Sequence, residues 1–329
     1  MPPNPWPGRK FRLQPVSGTL VLLAMSILKV HHRTTYRYSE PVGFGDHRWL
    51  FRPRDSQEQR LILAERQISP EPAEITWIHD VFSNQIALVT FDERAHELTF
   101  ESDITLEHTP QTGPRFSTDD EARSWPFEYD ADTLTDIEPY RRIHYPDPDV
   151  EAWAKRLVPY GGVADTAKLL LTLTQAVRET CSYSRRTDPG TQPPALTLER
   201  RRGTCRDFTL LMMEAARVLG FAARFVTGYI YVPARDEGRI RGGGATHAWV
   251  QIFLPGAGWV EFDPTNGIIG NRDLIRVGVA RDPRHAKPLS GSFRGDRAYY
   301  LGMEVDVLVS KLTEQSGATH QGASVAFYG

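Results

Sequence analysis

Apolar and polar residues alternate along the first third of the chain, from Leu28 to about His108. A period of two is typical of a strand that buries one face, because successive side chains in a strand point to opposite sides. Turn-forming segments rich in proline, asparagine and charged residues separate the alternating runs. The pattern predicts an all-β, sandwich-like N-terminal domain over residues 25–110. The predicted strands are 28–38, 49–52, 61–68, 74–79, 84–91 and 97–107.

The alternation stops after residue 110. Residues 111–135 contain Gly113, Pro114 and Pro126 among acidic residues, a composition typical of a linker. From residue 136 onward, segments with helical spacing are followed by further alternating segments, so we expect a second domain over residues 136–312 and an α+β protein overall. The predicted helices are 149–157, 165–181 and one from Cys205 to Gly220, and the predicted strands are 223–232, 247–253, 257–263, 274–280 and 297–312.

Length and composition agree with two packed domains. The chain has 329 residues, more than one core of about 150 residues usually holds. The formal net charge of −2 gives no electrostatic reason to expect a nucleic-acid or membrane partner. Two cysteines are far fewer than small disulfide-held secreted domains contain, so we expect free thiols and a cytoplasmic location.

The two ends of the chain lack a clear pattern. Residues 1–24 combine basic residues with an apolar run that imitates a secretion signal poorly, lacks a small-residue cleavage site and is too short to span a bilayer. We interpret them as an extension or disordered lead-in, with both Met1 and Met25 open as the initiator. Residues 313–329 are predicted to form a flexible tail.

One of the two cysteines, Cys205, carries the strongest chemical signal. It follows Gly203-Thr204 and precedes an apolar run with helical spacing, so it lies at the predicted start of a helix. Unpaired N–H groups and the positive end of the helix dipole favour a thiolate there. His247 and Asp263 follow on two neighbouring predicted strands, and the order Cys–His–Asp is that of a thiol acyl-transfer triad.

The loop between these two strands decides whether His247 and Asp263 meet. If residues 247–253 and 257–263 pair as a hairpin centred on Pro255, His247 lies directly opposite Asp263. A two-residue turn at Gly256-Ala257 would place the two side chains on opposite faces of the sheet. The triad therefore requires an odd-numbered loop or a bulge at this reversal.

Other roles for these residues stay open at the level of sequence. A buried cysteine is more often an inert small apolar residue, and this is the role we expect for Cys181. The three triad candidates could instead ligate zinc, but the sequence has no paired-cysteine spacing, so we expect no metal. Arg206 and Asp207 either tune the thiol or form a surface ion pair.

Several motifs around the candidate residues resemble the bacterial transglutaminase-like superfamily. The core motifs are 203–208 (Gly-Thr-Cys-Arg-Asp-Phe), 220–224, 227–229, 246–250 and 258–266. Residues 36–42 and 84–87 resemble the β-rich N-terminal domain of that family, and residues 281–295 resemble its C-terminal stretch. The resemblance implies a papain-like α+β core with a Cys–His–Asp triad, which falls on Cys205, His247 and Asp263.

The resemblance also implies a two-step acyl transfer without a cofactor. The Cys205 thiolate would attack an amide or peptide carbonyl, the Cys205 N–H would hold the oxyanion, and His247 would protonate the leaving amine. We expect a peptide or protein substrate, with hydrolysis favoured over amine cross-linking. Trp249 and Tyr229 are candidates for a wall or oxyanion role, although Trp249 also fits a plain core position. A catalytically silent peptide- or protein-binding scaffold with the same fold is the alternative.

Overall fold

The first part of the chain forms the strands that the alternating pattern predicts. The structure is a computed structural model, and it describes residues 25–109, 117–184, 186, 190–233 and 245–312. The predicted lead-in at 1–24 and the predicted tail at 313–329 lie outside the described residues. The strands are β1 (Ser26–Phe44), β2 (His47–Trp49), β3 (Gln59–Ser69), β4 (Glu74–His79), β5 (Gln85–Thr90) and β6 (Arg94–His108).

These strands form two sheets that share one apolar core. β1, β6 and β3 pair in that order in one sheet, and β2, β5 and β4 pair in that order in the other. On β1, Val30 is fully buried whereas its neighbour Lys29 is exposed. The second sheet contributes Trp49, whose ring stacks on Phe51 with 4.0 Å between centroids. The prediction of an all-β N-terminal domain is confirmed, although the strand predicted at 49–52 lies at His47–Trp49.

The rest of the described chain combines helices with short and long strands. None of its helices is long and apolar enough to cross a membrane. The predicted helices at 149–157, 165–181 and 205–220 correspond to the second, third and fifth helices. The elements are β7 (Ser124–Trp125), α1 (Ala131–Arg141), α2 (Pro148–Lys155), β8 (Ala164–Asp165), α3 (Thr166–Thr180), β9 (Ser182–Tyr183), α4 (Pro194–Arg200), β10 (Arg202–Gly203), α5 (Cys205–Val218), β11 (Ala222–Ile230), β12 (His247–Leu254), β13 (Gly258–Asp263), β14 (Ile268–Ile269), β15 (Leu274–Ala280), β16 (Leu289–Ser290), β17 (Phe293–Arg294) and β18 (Tyr300–Leu312).

A five-stranded sheet forms the centre of this second unit, in the order β14-β13-β12-β11-β15. α5 packs on one face of the sheet, because Phe208 and Leu211 of the helix share an apolar cluster with Val250 and Ile252 of β12. All four side chains are fully buried. The helix that begins at Cys205 is therefore fixed against the strand that begins at His247. The predicted α+β class is confirmed.

The end of α5 also follows the sequence prediction. Gly220 has a φ of +86°, in the left-handed region that favours glycine. Its N–H donates to the Arg217 carbonyl (2.9 Å), and the Phe221 N–H donates to the Ala216 carbonyl (3.0 Å). This pair of bonds is the usual glycine-terminated end of a helix, and it turns the chain directly into β11.

Residues 117–135 are not the free linker that the composition predicts. The Trp125 indole N–H donates to the Leu219 carbonyl (2.7 Å), and the Tyr129 hydroxyl donates to the Phe253 carbonyl (2.9 Å). α1 begins inside this segment and buries Ile137 alone, so it has no apolar stripe from which a helix could be predicted. The segment packs on the second unit instead of spacing two domains apart.

The last strands pair with the N-terminal sheets, which corrects the predicted extent of the second domain to residue 312. β18 runs antiparallel to β1, from the pair Ile27–Leu312 to the pair Tyr38–Tyr300. β16 pairs with β2, and β17 pairs with the end of β1. Alternation along 297–312 predicts a strand but not its partner, because a pairing between distant segments leaves no local signal. The sandwich is thus completed by the end of the described chain.

Buried polar contacts join the two units. Nδ1 of His32 on β1 lies 2.9 Å from the Tyr229 hydroxyl on β11. The Gln59 side chain bonds both the carbonyl (2.7 Å) and the N–H (3.0 Å) of Arg276 on β15. Tyr229 also belongs to the apolar cluster of the sandwich. The sheet that carries His247 is therefore fixed against the N-terminal unit.

Acid should destabilise the protein through the buried histidine at this contact. Burial, and then the charge of His31, lowers the pKa of His32 from 6.5 to about 4. Below pH 6.5 the unfolded chain binds a proton that the folded chain excludes until about pH 4, so the free energy of unfolding falls as the pH drops through this window. The largest loss that His32 can cause is about 3 kcal/mol.

Urea unfolding followed between pH 7.5 and pH 4 measures this effect. We expect His32→Gln to unfold at lower urea than the wild type at pH 7.5, because the contact with Tyr229 is altered, but to lose less stability on acidification. His96→Gln, the same change at an exposed histidine, should keep the pH dependence of the wild type. Equal pH dependence in His32→Gln and the wild type would contradict the prediction.

Candidate active site

Cys205 is the first residue of α5, and the residue before it fixes the start of the helix. Thr204 has an extended backbone (φ −95°, ψ 175°) and occupies the N-cap position. The first N–H groups of a helix have no acceptor within the helix, so the Cys205 N–H can donate to a negatively charged oxygen. The Cys205 side chain is 5% exposed, and its apolar neighbours belong to the core of the second unit.

Asp207 holds the helix start and the preceding loop together. Its fully buried carboxylate accepts hydrogen bonds from the Thr204 N–H (2.8 Å), the Thr204 hydroxyl (3.0 Å) and the Gln192 N–H (2.7 Å). Arg186 adds an ion pair, with Nε 2.9 Å and Nη2 3.1 Å from the two carboxylate oxygens. The position of the candidate nucleophile therefore depends on Asp207.

These contacts separate the two residues whose roles the sequence left open. Asp207 pairs with Arg186, whereas Arg206 is exposed. The surface ion pair between Arg206 and Asp207 that the sequence allowed therefore does not form. Gly203 is needed beside this carboxylate, because a Cβ at residue 203 would lie 2.9 Å from Asp207 Cβ and Oδ2.

The side chains of His247, at the start of β12, and Asp263, at the end of β13, meet inside the protein. Nε2 of His247 lies 2.9 Å from Oδ2 of Asp263, and both side chains are fully buried. The turn after β13 holds the carboxylate, since the Thr265 N–H donates to Oδ1 (2.9 Å) and the Asn266 side-chain amide donates to Oδ2 (2.8 Å). The sequence alone indicates no role for Asn266, although an aspartate whose side chain bonds the next residues is typical of such turns.

The hairpin between these strands has a register different from the predicted one. Its loop contains three residues, 255–257, so it is odd-numbered as the triad requires, but Leu254 rather than Phe253 forms the last pair, with Gly258. The shift follows from a tight turn in which the Ala257 N–H donates to the Leu254 carbonyl (3.0 Å).

The observed register changes how the two triad candidates meet. Continued along β12, it places Asp263 level with Trp249, two residues from His247 and on the same face of the sheet. The prediction that His247 lies directly opposite Asp263 is therefore wrong. Diagonal neighbours on one face of a sheet remain within reach of long side chains, and the 2.9 Å contact is of this kind.

The buried pair shifts both pKa values towards a charged pair. Burial lowers the pKa of His247, but the charge of Asp263 and the hydrogen bond to it outweigh burial and raise this pKa to about 10. Burial raises the pKa of Asp263, but His247, Asn266 and the Thr265 N–H together lower it below its usual value. An imidazolium beside a carboxylate is therefore favoured across the neutral range.

Cys205, the remaining triad candidate, lies close enough to the His247 side chain to interact with it. Because Nε2 is bound to Asp263, Nδ1 is the nitrogen left for Cys205, whose sulfur contributes a further rise in the pKa of His247. Nδ1 is buried and makes no hydrogen bond of ordinary geometry within the described residues. Catalytic hydrogen bonds are often poorly aligned before substrate binds, so this geometry fits a nucleophile and its base at rest.

Trp249 lies against His247, whereas Tyr229 lies elsewhere. The His247 and Trp249 rings are stacked, with centroids 6.0 Å apart and an interplanar angle of 27°. Trp249 is fully buried, so it is a neighbour of the triad inside the protein and not the wall of an open cleft. The Tyr229 hydroxyl bonds His32 between the two units, so the wall or oxyanion role considered for Tyr229 does not fit its position.

Glu261 is a buried carboxylate near the site that sequence analysis did not single out. It accepts hydrogen bonds from the Trp249 indole N–H (2.5 Å) and the Gln251 side-chain amide (2.7 Å). A glutamate on a strand usually faces solvent. The burial of Glu261 could be predicted only from its lying on the same face of the sheet as the buried Trp249. Its register with β12, which the sequence does not fix, decides that position.

The geometry of the three candidates does not suit a shared metal ion. Asp263 occupies Nε2 of His247, and the ligand atoms of Cys205, His247 and Asp263 do not all lie within 4.8 Å of one another. Ligand atoms do converge at His31, Glu101 and Asp103, on the N-terminal sheet, but Lys29 already pairs with Asp103 (3.0 Å).

Cys181 has the environment of a packing residue. Its side chain is buried, and its Sγ lies 3.9 Å from the Thr197 carbonyl oxygen. Burial raises the pKa of Cys181 to about 11, although the charge of Arg201 opposes this rise. A thiol in this environment is a poor nucleophile.

Two family descriptions match the two units of the chain. Residues 28–107 match the bacterial transglutaminase-like N-terminal region, and residues 152–264 match the transglutaminase-like superfamily. The second match contains Cys205, His247 and Asp263. An uncharacterized protein of Mycobacterium tuberculosis strain H37Rv is 27% identical over 305 residues, which cover 89% of this chain and 94% of that protein. An uncharacterized protein of Mycobacterium leprae is 28% identical over 291 residues, which cover 85% and 98%.

A solved structure shows the same fold over most of the chain. The crystal structure of "a Putative Cysteine Protease from Cytophaga hutchinsonii" superposes with a TM-score of 0.67 and covers 91% of this chain and 95% of that chain. The sequences are 17% identical, so the similarity shows a shared fold and nothing more. The chain belongs to the transglutaminase-like superfamily and carries the bacterial transglutaminase-like N-terminal region.

Proposed function

We propose that the protein is a thiol acyl-transfer enzyme that cleaves amide or peptide bonds in a peptide or protein substrate. The observation that carries the proposal is the placement of His247, which is bonded to Asp263 through Nε2 and interacts with the Cys205 side chain, for which Nδ1 is the nitrogen left. A carboxylate on one nitrogen fixes the tautomer and stabilises the cationic ring, which the second nitrogen needs in order to exchange a proton with sulfur. Membership of the transglutaminase-like superfamily supports a thiol-based enzyme.

The first step forms a thioester. The Cys205 thiolate attacks the substrate carbonyl carbon, and the carbonyl oxygen takes up the negative charge. The Cys205 N–H at the start of α5 donates a hydrogen bond to that oxygen. When the intermediate collapses, the C–N bond breaks and the Nδ1 proton of His247 passes to the leaving amine. The acyl group is then bound to sulfur, and the imidazole is neutral.

The second step releases the acyl group. Neutral His247 removes a proton from a water molecule, the water oxygen attacks the thioester carbon, and the C–S bond breaks. A carboxylic acid leaves, and the charged pair of Cys205 and His247 forms again. Hydrolysis is the favoured outcome because water needs no binding site of its own, whereas an amine in the same step would produce a cross-link.

Removing the sulfur or the base should abolish turnover. We expect Cys205→Ala and His247→Ala each to lower kcat/KM by about 10³-fold or more. In a catalytic unit, removal of one member costs nearly as much activity as removal of all members. Fluorogenic peptide pools measure hydrolysis, and incorporation of a labelled amine into glutamine-containing peptides measures cross-linking. Cys181→Ala, a matched change at the second cysteine, should keep the activity. Unchanged turnover in Cys205→Ala would contradict the proposal.

Alkylation separates the enzyme from a silent binding scaffold with the same fold. An enzyme of the proposed type should react with iodoacetamide at Cys205 faster than a free model thiol does at pH 6, because the proposed mechanism pairs the sulfur, as a thiolate, with the His247 imidazolium. Reaction no faster than the model thiol, together with no turnover on either substrate class, would support the scaffold instead.

The charge of Asp263 should set the upper pH limit of activity. The raised pKa of His247 keeps the imidazolium present through the neutral range, and the imidazolium is lost as the pH rises through about 10. Asp263→Asn keeps a hydrogen-bonding group but removes the charge, so the upper limb of the kcat/KM profile should move down by more than one pH unit. We expect activity at pH 7.5 to fall by about 10²–10⁴-fold. An unchanged upper limb would show that Asp263 does not act on His247.

Loss of the Asp207 charge should destabilise the helix start that carries the nucleophile. Asp207→Asn removes the charge that Arg186 faces in a mostly buried ion pair, and breaking such a pair costs about 3–5 kcal/mol. Thermal unfolding should show a lower Tm, and turnover at 25 °C should fall as Cys205 shifts. Asp120→Asn, the same change in the exposed pair with Arg123, should leave both unchanged. Equal Tm values for Asp207→Asn and Asp120→Asn would refute this role.

A further inference from the structure

A fully buried tryptophan stacks beside the His247 ring. Trp249 is fully buried, and its ring lies nearly parallel to the imidazole with 6.0 Å between centroids. The two residues are two positions apart on β12, so they lie on the same face of the strand. The aromatic face is therefore presented to the side chain that the proposed mechanism charges.

The backbone beside Trp249 leaves room for this arrangement. Gly228 on β11 pairs with His247, and a Cβ at residue 228 would lie 2.9 Å from Cη2 of Trp249 and 2.0 Å from the Ile275 carbonyl oxygen. Any larger residue at this position would push the indole ring or the neighbouring strand away. The glycine thus permits the close approach of the indole to the strand that pairs with β12.

A buried carboxylate fixes the other end of the indole. The Trp249 N–H donates to Oε2 of Glu261, and the Glu261 side chain is held in turn by the Gln251 amide (2.7 Å) and Nη1 of Arg276 (3.2 Å). Burial raises the pKa of Glu261, and the charge of Arg276 and the indole N–H oppose this rise. Arg224, which bonds Gln251 (2.7 Å), adds a second cation to the group.

Burying a carboxylate is unfavourable unless its partners compensate for the lost hydration. Here the partners include the one indole that stacks on His247, so the orientation of Glu261 and that of the imidazole are linked through a rigid side chain. A hydrogen bond from an indole N–H to a carboxylate also increases the electron density of the indole ring. A cation is attracted to the face of such a ring, most strongly where water is excluded.

We propose that Glu261 and Trp249 are positioning residues for His247. Glu261 orients the indole, and the indole face holds the imidazole in line with Cys205 and Asp263 and favours its protonated form. This inference rests on the proposed function, because it assigns the pair a role in keeping the proton that the first step delivers to the leaving amine.

Titration of the His247 ring by NMR tests the inference without any substrate. The protein is labelled with ¹⁵N at histidine, and the His247 signals are assigned by their loss in His247→Asn. We expect Trp249→Phe, which loses the N–H donor, and Glu261→Gln, which loses the charge, each to lower the pH of His247 deprotonation by about 0.5–1 unit.

Trp259→Phe is the matched control for the tryptophan change. Trp259 lies on the same hairpin and stacks under Arg224 at 4.0 Å, away from His247, so its replacement should leave the His247 titration unchanged. An unshifted titration in Glu261→Gln would overturn the inference even if Trp249→Phe failed to fold. Absence of turnover with every substrate would refute the proposed enzyme without changing these titrations, so the two failures can be told apart.

Discussion

The buried ion pair of His247 and Asp263 is the interaction on which the candidate site depends. A lone charge in the protein interior costs several kcal/mol, so each group needs the other to remain charged. The turn after β13 meets part of this cost with hydrogen bonds from Thr265 and Asn266 to the carboxylate. Since the two groups come from the ends of adjacent strands, the pairing of β12 with β13 is a chemical requirement as well as a structural one.

Three buried carboxylates surround the candidate site, and each is stabilised in a different way. Asp263 faces an imidazole, Asp207 faces a guanidinium and backbone N–H groups, and Glu261 faces an indole, an amide and a guanidinium. Fully bonded polar groups in a low-dielectric interior tolerate little displacement, because each lost hydrogen bond leaves a buried polar group with neither a protein partner nor water. The arrangement therefore makes the surroundings of Cys205 and His247 rigid.

Local signals were sufficient for much of the fold and for the triad candidates. Alternation predicts the N-terminal strands, helical spacing after Cys205 predicts α5, and Gly220 predicts its end. What the sequence could not supply is pairing. The register of the β12–β13 hairpin differs from the prediction by two residues, because the tight turn lies one residue later in the chain than predicted. α1 has a single buried residue, so its helical pattern is absent from the sequence.

Contacts between distant segments were equally hidden. The residues next to Tyr229 in the chain predict a role for it in the site. Its hydroxyl instead bonds His32, almost two hundred positions earlier. The sequence allows an ion pair between Asp207 and its neighbour Arg206. In the folded chain, Asp207 pairs with Arg186 instead. In both cases the side chain has the right chemistry for the expected role, and the fold provides a different partner.

The return of β18 to β1 has a consequence for how such proteins diversify. The sandwich begins with β1 and is completed by β16, β17 and β18, so the α+β unit is an insertion between two strands of one sheet system. Separated from the sandwich, it would expose Tyr229, Ile275 and Val277, which are now buried in the shared cluster. Recombination at a single point within the α+β unit would therefore disrupt both this unit and the sandwich. Exchange of the whole α+β unit between relatives requires two crossover points, one on each side of the inserted unit.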